Sequence, residues 1–167
     1  KLLNAYGEEV ALGEVGEICV RGPQVMKGYL RNPEETSNTI RNGWLYSGDL
    51  GRFDDEGYLY IVDRKKDMII RGGENIYPIE IEEVLYQMPE ILEAAVVGIP
   101  HEVYGEVPKA FIVLKEGQAL TETDILNYMK TQLAKYKVPA EVQFIASLPR
   151  NASGKVLKHT LRPTQNV

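Results

Sequence analysis

The 167-residue sequence has little of the chemistry that marks secreted or metal-binding proteins. Its one cysteine, Cys19, excludes an internal disulfide, and its two histidines, His101 and His159, are far apart with no Cys or carboxylate cluster around them. A metal site is therefore not predicted. Cys19 lies between Ile18 and Val20 in GEICVRG, where we expect a reduced thiol within a strand of a cytoplasmic protein.

Charge and apolar runs exclude two further classes. Lysine and arginine (19 residues) are outnumbered by aspartate and glutamate (24), for a net charge of −5, so nucleic acid is not expected as a main partner. No apolar run approaches the roughly 18 residues of a membrane span, so no transmembrane segment is predicted. No secretory signal opens the chain. Because KLLNAYGEEV begins at Lys1 rather than at a methionine, we expect a longer parent protein.

Turn residues and apolar periodicity predict a β-rich part followed by an α+β part. Residues 1–62 carry short β-forming runs between Gly, Asn and Asp, which indicates part of a sheet or barrel. Within them, NPEETSNTI predicts a short helix with Pro33 at its first position. Residues 68–167 alternate strand, helix, strand, strand, helix and strand, which predicts a compact domain of about 100 residues.

Two helices are predicted in the second part. Pro78 should open the first, and TETDILNYMKTQLAKY, residues 121–136, should form the second. MIIRGGENIYP predicts a strand, a Gly-Gly turn and a strand ahead of them, and AAVVGI and AFIVL predict buried strands between them. Apolar residues recur at helical spacing in both helices: Ile81, Val84, Leu85 and Met88 in the first, and Ile125, Met129 and Leu133 in the second.

Three short motifs are compatible with chemistry, and each also has a simpler structural explanation. Asp49 follows a glycine at a predicted strand end, where a carboxylate can bind the vicinal hydroxyls of a ribose or serve only its own turn. Arg64, in DRKKD, can reach a ribose or phosphate oxygen or belong to a solvated charge run. Gly72 and Gly73 permit either a tight hairpin turn or the close passage of a ligand.

A fourth motif, PRNASGKV, resembles a nucleotide P-loop only superficially. That loop reads G-x-x-x-x-G-K-[ST], whereas Pro149 replaces its first glycine and Val156 replaces its hydroxyl residue. On these residues alone, an ordinary surface turn explains Lys155.

The motifs gain specificity from their order. GEICVRG, MKGY, YSGDLG, DRKKDMIIRGGENIYPIEIE, VYGEVPKAFIV and PRNASGK together resemble the C-terminal part of the adenylate-forming enzymes. This family includes acyl-CoA synthetases, aryl-CoA ligases such as 4-coumarate–CoA ligase, firefly luciferase and peptide-synthetase adenylation domains. The resemblance covers almost the whole chain. It implies that residues 1–62 end a large AMP-binding domain, that residues 63–67 are a hinge, and that residues 68–167 are a small mobile domain.

The resemblance also implies roles for individual residues. Asp49 matches the ribose-binding aspartate, although Ser47 replaces the usual threonine of its motif, and Arg64 matches an arginine that contacts the same ribose. Lys66 matches the residue about which the small domain swings. Gly73, with Gly72 beside it, matches the glycine that lines the pantetheine tunnel of coenzyme A.

Lys155 matches the family's catalytic lysine of adenylation. In that step a carboxylate attacks the α-phosphate of ATP, and a lysine between the two anions offsets their repulsion. Gly154 is interpreted as giving the loop mobility, so that Lys155 can be brought in for this step and then removed. The family's phosphate loop, its Mg²⁺-associated glutamate and its acyl pocket have no counterpart in this chain.

The longer protein is thus expected to be an acid–CoA ligase that uses ATP, Mg²⁺ and coenzyme A, while this chain by itself is expected to be inactive. A fatty acid is the favoured substrate, with an aryl or 4-coumarate-like acid as the alternative. A peptide-synthetase domain is less favoured, as is a luciferase-type oxidation, because Ile70 stands where that branch has a lysine. In a different class, the chain is a non-catalytic module that binds only coenzyme A or a partner. The sequence predicts no oligomeric state.

Overall fold

The computed structural model describes residues 1–163, so the last four residues of the predicted 68–167 domain lie outside the described part. The chain forms two compact units. The N-terminal unit comprises Lys1–Lys66, and the C-terminal unit begins at Asp67. The predicted α+β class is confirmed, because each unit has a five-stranded sheet and helices accompany the strands. None of the helices within residues 1–163 has the length and apolar character of a membrane span.

The N-terminal unit is an antiparallel sheet centred on one long strand, β4 (Trp44–Phe53). On one side, β4 pairs with β2 (Gly16–Val20), which pairs in turn with β1 (Leu2–Leu3). On its other side, β4 pairs with β3 (Ile40–Arg41) near its start and with β5 (Leu59–Arg64) over its second half. Strand β4 is thus paired between Leu45 and Gly51 on one side, and at Trp44–Leu45 and Asp49–Phe53 on the other.

Helix α1 (Pro33–Thr39) confirms the short helix predicted from Pro33. The side chain of Asn32 caps it by accepting a hydrogen bond from the Glu35 N–H at 3.1 Å. Two positions in the sheet differ from expectation. Asp49 is not at a strand end, because β4 continues to Phe53 in order to pair with β5. Arg64, expected in the charged linker, is the last residue of β5.

The C-terminal unit is built on a long antiparallel hairpin of β8 (Ile91–His101) and β9 (Gly105–Leu114). The other edge of β9 pairs with the parallel strand β10 (Glu141–Phe144) and, at Gly105, with β6 (Ile69–Arg71). Strand β6 forms a second hairpin with β7 (Glu74–Ile76), joined by the predicted Gly-Gly turn. All the strands predicted after residue 67 are therefore present.

Two helices and a single 3₁₀ turn (Lys158–Thr160) complete this unit. Helix α2 (Pro78–Leu85) begins at the predicted proline. Helix α3 (Glu122–Gln132) is shorter than predicted, since the predicted helix ran to Tyr136. It ends early because Leu133 adopts an extended backbone with φ −122° and ψ 153°. This change of direction lets residues after the helix pack against the core: Leu133, Tyr136 and Val138.

Both faces of the C-terminal sheet are covered, which explains the continuous apolar runs of β8 and β9. Ala94 and Val96 contribute to the cluster under the helices, and Ala95 and Val97 contribute to a second cluster on the opposite face. The alternation follows the two-residue period of a strand. The segment around Lys155 covers the second cluster, to which it supplies Leu148, Val156 and Leu161.

Candidate functional site

Two of the predicted nucleotide-binding side chains meet in the N-terminal unit. Asp49 in β4 and Arg64 in β5 are direct cross-strand partners, and Arg64 Nε donates to Asp49 Oδ1 at 3.0 Å. The side chains are 41% exposed for Arg64 and 36% for Asp49. An ion pair this exposed contributes at most about 1 kcal/mol to stability, so folding alone gives little reason for it. The second carboxylate oxygen, Asp49 Oδ2, accepts no hydrogen bond from the part of the chain that the structure describes.

A buried carboxylate, which the sequence analysis missed, holds the backbone ahead of Asp49. Glu17 in β2 is only 7% exposed; its Oε1 accepts from the Gly48 N–H at 3.2 Å and its Oε2 pairs with Lys65 Nζ at 2.8 Å. Gly48 has φ +76°, which favours glycine at this position. Ser47 Oγ also accepts from the Asp49 N–H at 3.1 Å. The sequence does carry a signal for this role, namely a glutamate within the otherwise apolar run GEICV. A buried charge at that position needs a partner.

A pocket of about 360 Å³ lies beside this arrangement. Three of its five lining residues are cationic, which favours an anionic or strongly polar ligand. Arg64 faces this pocket and also holds Asp49, so a ligand with vicinal hydroxyls and a phosphate would find an acceptor and several cations in one place. The lining residues are Ser47, Gly48, Arg64, Lys65 and Lys66.

The Gly-Gly turn in the C-terminal unit joins β6 to β7 through two residues at positive φ, +59° for Gly72 and +92° for Gly73. Positive φ at both central residues is the requirement of a type I′ hairpin turn, so the turn explanation accounts for both glycines. The two glycines differ in how much free space lies beside the backbone. A Cβ on Gly72 would contact the Tyr104 ring at 3.5 Å, whereas a Cβ on Gly73 would meet no atom of the described residues within 4 Å.

Tyr104, which the sequence analysis did not single out, fixes this turn. Its carbonyl accepts from the Gly72 N–H at 2.8 Å. The Arg71 guanidinium lies over its ring at 4.2 Å, and the His101 ring lies 5.0 Å from it. The tip of the β8–β9 hairpin therefore orients the Gly-Gly turn. An aromatic residue beside a turn glycine, in VYGEVP, was the available signal.

The Lys155 hairpin, residues 150–156, is a closed and hydrogen-bonded turn. The Gly154 N–H donates to the Asn151 carbonyl at 2.9 Å, and Gly154 has φ +83°. The Asn151 side chain accepts from the N–H groups of Lys155 at 2.9 Å and Ser153 at 3.1 Å. A type I turn followed by a left-handed glycine is typical of three-residue hairpin loops. Gly154 therefore has a structural role in closing the turn, and its contribution to loop mobility stays a prediction.

Lys155 is exposed on this hairpin, and its ammonium makes no salt bridge with any of residues 1–163. Its backbone is fixed while its charge faces solvent. The predicted site residues divide between the units: Asp49, Arg64 and Lys66 belong to the N-terminal unit, and Gly72, Gly73 and Lys155 belong to the C-terminal unit.

Metal binding finds no support in the residues described. Among residues 1–163, no group of three or more His, Cys, Asp or Glu side chains is arranged to hold a metal ion. The ligands of the Mg²⁺ that the resemblance implies are therefore not found among these residues, and the resemblance places them outside this chain. Cys19 is buried in β2 as expected, and burial, reinforced by the charge of Glu17, raises the pKa of its thiol, which makes it unreactive.

Comparison with known proteins supplies the family. Residues 80–155 match the model of the AMP-binding enzyme C-terminal domain. These residues therefore form an AMP-binding enzyme C-terminal domain, in agreement with the resemblance of the motifs to the adenylate-forming enzymes.

Individual relatives agree with this assignment. The 2-succinylbenzoate–CoA ligase of Geobacillus kaustophilus (strain HTA426) is 47% identical over 93% of this chain and 32% of its own length. The 3-[(3aS,4S,7aS)-7a-methyl-1,5-dioxo-octahydro-1H-inden-4-yl]propanoyl:CoA ligase of Rhodococcus jostii (strain RHA1) is 52% identical over 93% of this chain and 30% of its own length.

A solved structure extends the likeness to the fold. The O-succinylbenzoate coenzyme A synthetase (MenE) of Bacillus subtilis, in complex with ATP and a magnesium ion, matches with a TM-score of 0.86 and 44% identity. The match covers 96% of this chain and 33% of that one. This chain therefore spans about a third of the length of the relatives it matches.

Proposed function

We propose that the whole protein is a cytoplasmic, AMP-forming acid–CoA ligase, of which this chain is about a third. In the first step, a carboxylate oxygen of the acid attacks the α-phosphorus of ATP. The bond to the bridging oxygen breaks, so that pyrophosphate leaves and an acyl-adenylate forms. In the second step, the thiolate of coenzyme A attacks the acyl carbonyl, and AMP leaves as the thioester forms.

The ion pair of Asp49 with Arg64 beside a cationic pocket is the observation that carries this proposal. Asp49 keeps Oδ2 available to accept from the vicinal hydroxyls of the ribose, while Arg64 holds the carboxylate in place at 3.0 Å. The cations around the pocket suit the adjoining phosphate. Asp49 and Arg64 are 15 positions apart in the sequence, and their contact suits them to bind one ribose together. If Asp49 served only its own turn and Arg64 only a solvated charge run, this contact would not be expected.

Lys155 is proposed to act in the first step. An exposed ammonium on a fixed backbone is preorganised to meet developing negative charge, which is the arrangement that electrostatic catalysis requires. Because hydrogen bonds close the hairpin, Lys155 is proposed to reach and leave the phosphate by movement of the whole C-terminal unit about Lys66. This movement replaces the loop mobility expected from the sequence.

Gly73 is proposed to act in the second step. The open space beside it would allow the narrow pantetheine arm of coenzyme A to pass close to the backbone. In this proposal, Gly72 serves the turn and Gly73 serves both the turn and the passage. The Mg²⁺ that accompanies ATP in the MenE complex would be held outside this chain.

The relatives favour a ring-bearing acid over the fatty acid expected from the sequence. One is named for a succinylbenzoate, and the other for a propanoate on a fused ring system. We therefore propose an aryl acid or a related ring-bearing acid as the substrate. The acyl pocket belongs to the part of the protein upstream of this chain, so these residues do not select the ring themselves.

The test measures pyrophosphate release by the full-length protein with a panel of aryl, alicyclic and fatty acids of matched carbon number. We expect release with at least one ring-bearing acid, and conversion of that adenylate to a thioester when coenzyme A is added. The 167-residue chain is the control and should release none, because it lacks the positioning groups that supply most of the rate enhancement. Binding of coenzyme A without pyrophosphate release from any acid would instead indicate a non-catalytic module.

A further inference from the structure

Arg150 connects the Lys155 hairpin to the sheet beneath it. Its Nη1 donates to the Gly154 carbonyl at 2.6 Å, the peptide oxygen immediately before Lys155. Its Nη2 donates to Glu93 Oε1, which projects from β8. The planar guanidinium thus joins Gly154, at the tip of the hairpin, to Glu93 in β8, with one N–H group donating to each acceptor.

The hairpin tip has few other connections to the unit. Val156 packs on the second core cluster at the base of the hairpin. The hydrogen bonds of Asn151 close the turn, but they run to Ser153, Gly154 and Lys155 within the same hairpin. These bonds close the tip together with the bond from Arg150 to the Gly154 carbonyl, but they do not join the tip to β8. Beyond the apolar packing of Leu148, Val156 and Leu161 at the base of the hairpin, Arg150 is the side chain that joins the tip to β8.

We propose that Arg150, held by Glu93, is a positioning residue for Lys155. The proposal rests on the proposed function, in which the Lys155 charge stabilises the adenylation step. Such a charge must already be in place when the reaction occurs, and a displacement of about 1 Å can cost up to roughly 10²-fold in rate. The Arg150–Glu93 pair is partly exposed, with side chains 41% and 27% accessible, so its contribution to folding is small.

The kinetic test compares Arg150→Met, Glu93→Met and the double variant in the full-length protein. We expect each single variant to lower kcat of adenylation about tenfold or more, with little change in KM for ATP. The double variant should be no slower than the slower single variant, because both changes remove the same interaction. Thioester formation from presynthesised acyl-adenylate and coenzyme A should stay at the wild-type rate.

A matched control separates positioning from the loss of any surface charge. Lys109→Met removes the Lys109–Glu141 pair, which joins β9 to β10 at 2.9 Å and changes the net charge by the same amount as Arg150→Met. Its adenylation rate should stay within about twofold of wild type, since the Lys109–Glu141 ion pair makes no contact with residues 150–156 and a partly exposed pair contributes little. Arg150→Lys should recover part of the loss, because lysine keeps the charge and cannot serve both acceptors in the same geometry.

Amide hydrogen exchange on the 167-residue chain tests the contact without reference to catalysis. Arg150→Met should speed the exchange of the Asn151 and Lys155 N–H groups, and Lys109→Met should leave both unchanged. Unchanged exchange in Arg150→Met would overturn the positioning role directly.

The remaining outcomes are equally decisive. A rate loss in Arg150→Met without one in Glu93→Met, or additive losses, would mean that Arg150 contacts the nucleotide itself, which overturns the proposal. Equal loss in both half-reactions with a lower melting temperature would overturn it in favour of a folding role. If Lys155→Ala adenylates at the wild-type rate, the proposed role of Lys155 in adenylation fails, whereas the exchange experiment still reports whether Arg150 holds the hairpin.

Discussion

The two units of this chain are held together in different ways. The C-terminal unit has two apolar clusters, one on each face of its sheet, and its largest buried side chains include Ile69, Ile112 and Met129. The N-terminal unit buries few large apolar side chains. Its sheet is fixed partly by polar groups, and two carboxylates, those of Glu17 and Asp63, are less than 10% exposed.

The N-terminal unit also leaves large apolar and aromatic side chains exposed to solvent. Four consecutive residues of the N-terminal unit, residues 58–61, are large, apolar or aromatic, and between 44% and 71% exposed, although three of them lie in β5. The chain spans about a third of the length of its relatives, and we propose that the N-terminal unit belongs to a larger domain. The comparison teaches that the C-terminal unit carries its own core, whereas the N-terminal unit contributes a polar arrangement around Asp49 and depends less on apolar burial.

Matched substitutions of one residue type give the largest expected difference between the units. Ile112→Ala, at a site with no solvent exposure, should lower the free energy of unfolding by about 2–5 kcal/mol. Ile61→Ala, at a site that is 71% exposed, should change it by less than about 0.5 kcal/mol. Urea unfolding of the 167-residue chain measures both.

The single tryptophan makes this experiment specific to each unit. Trp44 lies in β4, so its fluorescence reports the N-terminal unit, while the helical circular dichroism comes mainly from α2 and α3 of the C-terminal unit. Ile112→Ala should shift the dichroism transition and leave the fluorescence transition in place. Parallel shifts of both signals would show that the two units unfold as one, which contradicts the comparison.

The next largest effect is expected from Lys155, the residue of the C-terminal unit that is proposed to act in adenylation. In the full-length protein, Lys155→Ala should lower the rate of adenylation roughly 10²-fold or more, the scale seen when one preorganised electrostatic partner is removed. Thioester formation from presynthesised acyl-adenylate should be spared. Lys158→Ala is the matched control, because Lys158 lies three residues further on and is paired with Glu82 at 2.7 Å. Equal losses in both half-reactions of Lys155→Ala would contradict a role confined to the first step.

A smaller, selective effect is expected at Gly73. Gly73→Ala and Gly73→Leu meet the same backbone strain at φ +92°, so their difference reports only the longer side chain. If the pantetheine arm passes here, Leu should slow thioester formation at least several-fold more than Ala, with adenylation equal in the two variants. Quenched time courses of each half-reaction in the full-length protein measure the ratio of the thioester-forming rates of the two variants. Equal thioester rates for Ala and Leu would leave the turn as the sole role of Gly73.

Much of this architecture follows from local sequence signals. Pro33 and Pro78 mark helix starts, and the adjacent glycines mark a type I′ turn, because these residues restrict or widen the local backbone directly. Cross-strand register is different. Asp49 and Arg64 become partners because β4 runs on to Phe53, and no single motif shows where a strand will find its partner.

The missed residues share that non-local origin. Glu17 acts on Gly48 from 31 positions away, and Tyr104 acts on Gly72 through a carbonyl in another hairpin. The end of α3 was also missed, because no glycine or proline stops it. Leu133 leaves the helix to pack against the core, and such tertiary packing overrides helix propensity.

The smallest expected effect is a pH dependence with one carboxylate in each unit. In the C-terminal unit, hydrogen bonds from the Thr121 hydroxyl and N–H lower the pKa of Asp124, which caps α3. In the N-terminal unit, desolvation opposes a lowered pKa for Asp54, but hydrogen bonds from the Tyr58 N–H, the Tyr60 hydroxyl and the Glu56 N–H outweigh it. A carboxyl with a lowered folded-state pKa stabilises the fold above its unfolded-state pKa and loses that contribution as the pH falls through the folded value.

The two carboxylates therefore offer a fine test of whether the units are independent. At neutral pH, Asp124→Asn should slightly destabilise only the transition seen by circular dichroism, and Asp54→Asn only the transition seen by Trp44 fluorescence. Both differences from wild type should be constant from neutral pH to about pH 4, decline as the pH falls further, and vanish below the lowered folded-state pKa, where wild-type Asp124 and Asp54 are protonated as well. A difference that persists in strong acid would mean that the asparagine disturbs packing rather than charge. An effect of Asp124→Asn on the fluorescence transition would mean that the α3 cap is coupled to the β4 sheet.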